Sequence, residues 1–153
     1  MGGIIIKSVK IISSIALIII VFFVGYMTGK VNYNEPSREI RIGYDNKENT
    51  GQIDIEKVIT DTENQSFVDN FIMIYLHKKQ ISYTNPNLDN PDVYIMVNSP
   101  KQSTGLIDSR LWFTNEGAII GERSGESWDE VDYFEINNND ADYIKEQIEY
   151  EER

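Results

Sequence analysis

The chain has 153 residues, with 14 Lys and Arg against 25 Asp and Glu, one His and no Cys, giving a net charge of −11 at pH 7. That length allows one small domain plus accessories. The missing cysteines exclude disulfides, thiolate metal sites, a cysteine nucleophile and a lipidated-cysteine anchor, and the acidic balance argues against a nucleic-acid partner, whose phosphates need Lys and Arg.

Lys7, Lys10 and Lys30 are the only charged side chains in residues 1–30, which leaves 11 basic and 25 acidic residues, a charge of −14, on the rest. Within that first segment, Ile11 to Gly29 reads IISSIALIIIVFFVGYMTG and carries no charge. As a helix it would span about 28 Å, close to the ~30 Å hydrocarbon thickness of a bilayer. A cleavable signal has a shorter apolar region, then small residues at its cleavage site. Here Phe22 to Gly29 offers no such triplet, and Tyr26 with the flanking lysines suits a membrane interface. Residues 1–30 therefore read as a retained anchor that contacts the membrane through residues 11–29. Ile6 stands where myristoylation of Gly2 would need Ser or Thr. Lys7 and Lys10 on one flank nearly balance Lys30, Arg38 and Arg41 on the other. A basic start before an apolar run is the layout of an export signal, so a cytoplasmic amino end and an extracytoplasmic domain are expected.

VNYNEPS (31–37) reads as a polar stalk, and residues 38–153 as the soluble domain. REIRIGY (38–44) and QIDIEKVI (52–59) alternate apolar and charged residues as strands do. A capping box, Thr62 with Gln65 or Thr60 with Glu63, opens a helix. Its stripe is Phe67, Val68, Phe71, Ile72, Tyr75 and Leu76, and His77, Lys78 and Lys79 fill its last turn. TNPNLDNP (84–91) is a loop and VYIMV (93–97) a strand. SRLWFT (109–114) and AIIGE (118–122) flank a three-residue connection, Asn115-Glu116-Gly117, suited to a hairpin. VDYFEI (131–136) is the last strand. Asn139 with Asp142 caps a closing helix marked by Ala141, Ile144, Lys145 and Ile148. The order β-β-α-β-β-β-α predicts an α+β fold: a mostly antiparallel sheet with two helices on one face. Val93, Ile95, Val97, Leu111, Phe113, Phe134 and Ile136 would face those helices.

Signals for chemistry are few. His77 has no second His or Cys to share a metal and reads as a helix-end residue. GERSGES (121–127) has the wrong spacing for a nucleophile elbow and reads as a turn. The acids Glu122, Glu126, Asp129, Glu130 and Asp132, with Asp140 and Asp142, form a solvated face from which no carboxylate pair stands out. In Asp45–Thr50, Lys47 and Thr50 replace an oxygen ligand and the glycine of a calcium loop. No catalytic residue, metal ligand or cofactor is expected. One feature rises above background. If Leu111 and Phe113 face the helices, Tyr94, Met96, Arg110, Trp112 and Tyr133 face away from them, and this set has the composition of a binding face. The plainer readings are ordinary residues of a half-exposed sheet, or a face covered by the first hairpin.

IEKVITDTENQSFVDNFI, NPDVYIMV, RLWFTNEGAIIGE and YFEINNNDADYIKEQI, in that order between Ile53 and Ile148, resemble the small exported domain family of Gram-positive bacteria labelled YhfM-like. The resemblance implies an envelope location and no established activity, so it assigns no site residues. The transmembrane segment departs from the lipid-anchored members. The expected function is a non-enzymatic, membrane-tethered accessory or regulatory module that contacts an envelope protein partner. A sensor or binding module for a cell-wall fragment or peptide comes second, and an envelope hydrolase third.

Overall fold

The computed structural model describes residues 2–49, 51–82 and 90–151. The chain divides into two units, Met1–Glu35 and Pro36–Arg153. The first unit is one helix, α1 (Gly2–Asn34). Two of its hydroxyls turn back onto its own backbone: Ser14 and Thr28 donate to the Lys10 and Val24 carbonyls at 3.0 and 2.9 Å. Such internal satisfaction is what a bilayer demands of a spanning helix. Within it, Ile12–Lys30 is long and apolar enough to cross a membrane and is exposed along its whole length. The helix runs four residues into the segment read as a stalk. Nothing in VNYN breaks a helix, whereas Pro36 disfavours helical geometry at the residue before it.

The second unit is α+β, as expected. Its strands are β1 (Glu39–Asp45), β2 (Ile53–Thr60), β3 (Lys79–Gln80), β4 (Val93–Ser99), β5 (Thr104–Thr114), β6 (Gly117–Arg123) and β7 (Val131–Asn137), with helices α2 (Gln65–His77) and α3 (Asn138–Ile148). All pairings are antiparallel, in the spatial order β2-β1-β4-β5-β6-β7-β3. The two-residue strand β3 was not expected. It places α2 between strands at opposite edges of the sheet, so the connection that contains the helix must cross the sheet's whole width. The loop expected over 84–91 lies outside the described residues except for its last two.

One continuous core joins the helices to the sheet. It includes Phe67, Phe71 and Tyr75 of α2, Ala141, Ile144 and Ile148 of α3, and Ile40, Ile42, Val93, Ile95, Val97, Leu111, Ile120 and Ile136 of the strands. Phe113 and Phe134 pack against its margin, so every position expected to face the helices does so. Burying each large apolar side chain contributes about 1.5–3 kcal/mol.

Several local expectations are corrected. The N-cap of α2 is Asn64, whose side chain accepts from Phe67 N at 3.1 Å. Thr60 and Glu63 do bond each other, at 2.9 Å, but in the turn before the helix. Leu76 is 71% exposed while Ile74 is buried, because the inward face of α2 follows positions 67, 68, 71, 74 and 75. Lys79 belongs to β3. The cap of α3 is Asn137, which accepts from Asp140 N at 3.1 Å, two residues before the expected pair. The β5–β6 connection has two residues, since Thr114 pairs with Gly117. Gly117 sits at φ 144°, where a β-carbon would collide with the Ile136 carbonyl.

β2 departs most from its sequence pattern. Ile42 pairs with Lys57 and Gly43 with Ile55, so Glu56 is an extra residue, a β-bulge. The bulge switches the side-chain phase. Ile59 faces the helices beside Ile40, whereas Ile53 and Ile55 lie on the opposite side, over Gly43, and are each 41% exposed.

Candidate functional site

The helix-free face of the sheet carries the expected set. The ladders align Ile55, Gly43, Tyr94, Arg110, Gly121 and Tyr133 in one row across six strands. The next row runs Val58, Arg41, Met96, Asp108 and Arg123. Tyr94, Met96, Arg110, Trp112 and Tyr133 thus share one face, and neither Tyr94 nor Trp112 belongs to the core beneath the helices.

The face is largely covered by its own side chains. Tyr94 and Trp112 are each only 7% exposed, and Met96, Arg110 and Tyr133 are half-buried. Two glycines make this close packing possible. A β-carbon on Gly121 would lie 3.1 Å from both the Trp112 ring and Val131, so the indole rests on bare backbone there. Gly43 likewise makes room for Ile53 and Ile55.

At the centre of the row, the Arg110 guanidinium sits 3.9 Å from the centroid of the Trp128 ring and 5.6 Å from that of Tyr94. The Tyr94 hydroxyl donates to Asp45 at 2.8 Å. Asp45, Tyr94, Arg110 and Trp128 therefore form one chain of polar and cation–π contacts from β1 to the β6–β7 turn. Trp128 is the residue that sequence reasoning missed. Its signal was present: a lone indole in the polar turn SGESWDE has no apolar neighbours in sequence and must cover some other surface. The turn is shaped for this. Ser124 N and Oγ both donate to the Glu130 carbonyl at 3.1 Å, and Arg123 donates to the Glu126 carbonyl at 3.2 Å.

Beside this chain lies a groove of about 580 Å³ lined by Asp45, Asn46, Gly51, Ile53, Asn90, Tyr94 and Arg110. A second, of about 310 Å³, runs past Met96, Leu106, Asp108 and Arg123.

The residues considered for chemistry are engaged in the fold. Ser124 closes its turn, and His77 Nδ1 donates to the Met73 carbonyl at 2.9 Å in the last turn of α2. Asn46 accepts from the backbone N–H groups of Glu48 and Asn49 at 2.8 and 2.7 Å, folding the first hairpin loop onto itself. Thr50, part of the same expectation, lies outside the described residues. The acidic cluster is dispersed: Glu122 pairs with Lys78 at 3.0 Å on the helix side with Asp132 opposite it in the ladder, Glu126, Asp129 and Glu130 lie in the β6–β7 turn, and Asp140 and Asp142 lie on α3. Among the described residues, no three His, Cys, Asp or Glu side chains converge on a point that could hold a metal ion.

Among the described residues, two carboxylates are perturbed. Partial burial pushes Asp61 up, but hydrogen bonds from the Ser37 hydroxyl and from the Arg38 and Ser37 amides outweigh it and hold the acid below its ordinary value. The Lys57 ammonium, 2.7 Å away, does the same for Glu149. In the core, burial pushes the Tyr75 phenol far above its ordinary range, although its bond to Ser109 acts the other way.

Comparison of the chain with protein-family models, with curated proteins and with solved structures finds no match.

Proposed function

We propose that this chain is a membrane-tethered protein-interaction module of a bacterial envelope, with its acidic domain on the extracytoplasmic side and an accessory or regulatory rather than enzymatic role. The observation that carries this reading is the nineteen-residue segment Ile12–Lys30, apolar and exposed from end to end. Such a surface needs lipid around it. Its length and poor cleavage site support retention, and the basic start supports export of the domain. The resemblance of residues 53–148 to YhfM-like domains supports the envelope. An interaction role is supported by the aromatic and Arg-rich open face, while Ser124 and His77 are engaged in closing a turn and a helix end.

One observation favours a second reading, a sensor or binding module for a cell-wall fragment or peptide. The groove beside Tyr94 and Arg110 combines an aromatic wall with a carboxylate, an amide and a guanidinium.

Two measurements test the proposal. Alkaline phosphatase fused after Arg153 should be active, and a well-expressed but inactive fusion would overturn the orientation. A photoreactive side chain at half-buried Met96 should capture an envelope protein in intact cells. Met96 is preferred to Trp112, because replacing a 7%-exposed indole would perturb the fold itself. Capture of nothing, together with shifts in the Tyr94 and Arg110 resonances on adding soluble wall fragments, would favour the second reading.

A further inference from the structure

The sheet's two outer edges differ. β3 offers two residues, both exposed and one of them Lys79, which is a guarded edge. β2 offers eight, and no strand lies beyond it among the described residues. On the open side it presents Ile53, Ile55 and Val58, which are 41%, 41% and 46% exposed. A long edge with three half-exposed β-branched residues is a template for another strand.

The bulge determines which strand fits. Opposite residues in an antiparallel pair point to the same face of the sheet. On β2 the open side carries residues 53 and 55, then 58 and 60, while the helix side carries 54, then 57 and 59. A second β2 strand laid antiparallel keeps both faces matched over the full strand only when the bulge lies opposite itself. Ile55 then meets Val58 of the second copy, Ile53 meets Thr60, Asp54 meets Ile59, and Glu56 meets Lys57. Each contact occurs twice about a two-fold axis through the bulge. No like charges are opposed, and the one direct charge pair is attractive. Lys57 Nζ already donates to the Gln147 carbonyl and Glu149, and an ammonium has a third proton for a further acceptor.

We infer that β2 pairs antiparallel with β2 of a second copy of this chain, joining two seven-stranded sheets with their helices on the same side. An edge contact of this kind falls below the roughly 1,000 Å² of a stable soluble interface, and two domains of charge −14 repel each other. Pairing is therefore weak between free chains and fills when both copies are held in one membrane at high effective concentration. Only this occupancy rests on the tethering reading; the register does not.

The absence of cysteine makes the test clean. Opposed Cα atoms at about 4.5–5.5 Å lie within disulfide range. Full-length chains bearing Ile55→Cys are mixed in lipid vesicles with chains bearing Val58→Cys and oxidised, and Ile53→Cys is mixed likewise with Thr60→Cys. All four sites lie on an edge strand, three of them half-exposed, so the domain should tolerate the changes; a circular-dichroism melt of each variant checks this. Both matched mixtures should give about ten-fold more linked dimer than Ile55→Cys with Thr60→Cys, and the yield should fall as lipid is added. Equal yields in matched and mismatched mixtures, or none in any folded mixture, would overturn the pairing. Matched yields that ignore lipid dilution would uphold the register while counting against the tether.

Discussion

The stack of Arg110 on Trp128 allows a quantitative test of how the open face is held together. The guanidinium lies 3.9 Å from the indole centroid, and both side chains are half-buried. Cation–π pairs contribute about 0.5–1 kcal/mol when exposed and about 2 kcal/mol when desolvated. An intermediate position gives a coupling of about 1 kcal/mol. Either single substitution, Arg110→Met or Trp128→Leu, also disturbs packing against Tyr94 or the β6–β7 turn. The informative quantity is therefore the interaction term of a double-mutant cycle. For a domain of roughly 120 residues, 1 kcal/mol corresponds to about 4 °C in Tm. The double variant should melt about 4 °C higher than the sum of the single effects implies. The full-length protein in detergent is followed by the tryptophan band of near-ultraviolet circular dichroism, which retains Trp112 in every variant and is free of α1, whose aromatic residues are Phe and Tyr only. Effects additive to within about 0.3–0.5 kcal/mol would show that the two side chains are neighbours without energetic coupling.

Two further predictions concern the core and the domain's entry. The Ser109 hydroxyl donates to the Ile95 carbonyl at 3.0 Å, so the proton in its 2.7 Å bond to Tyr75 must come from the phenol. Ser109→Ala strands that buried donor and should cost about 1–3 kcal/mol, measured by urea unfolding, with part of the loss recovered on adding Tyr75→Phe; a cost near zero would refute the assignment. Asp61 is held below its unfolded value of about 3.9. Its contribution to stability is complete above that pH and is lost as pH falls through the lower folded value, so Asp61→Asn should flatten the acid limb of the stability profile there while the limb at higher pH stays unchanged.

Much of the fold was legible in the sequence because the signals were local. Phe67, Val68 and Phe71 mark a helix face by spacing alone, and Val93, Ile95 and Val97 mark a strand by alternation. These periodicities follow from backbone geometry and hold wherever the element ends up. The features that were not legible depend on partners distant in the chain. The Asn64 and Asn137 caps competed with equally plausible neighbours, and only the final helix phase chooses among them. Strand β3 exists because α2 delivers Lys79 and Gln80 beside Phe134 and Glu135, which no local pattern encodes. The five residues of the aromatic face were placed on the correct side by alternation. Their mutual burial was hidden, because it depends on Gly43, Gly121 and Trp128, and the last of these approaches from a turn.

The bulge at Glu56 ties these threads together. Read as an unbroken strand, IDIEKVIT would place Ile53, Ile55, Lys57 and Ile59 on one face and Asp54, Glu56 and Val58 on the other. The edge would then show acids to solvent, the usual guard against unwanted pairing. One extra residue reverses this for half the strand. It turns Ile53 and Ile55 to the open side, where Gly43 has no side chain to oppose them, and leaves Lys57 on the helix side to meet Glu149 and the Gln147 carbonyl near the end of α3. The extra residue therefore uncovers an apolar edge while the lysine keeps its place near the end of α3. Removing the charges Asp54 or Glu56 would leave that edge apolar. Only restoring the phase would close it, so the edge's character is a property of backbone register rather than of composition.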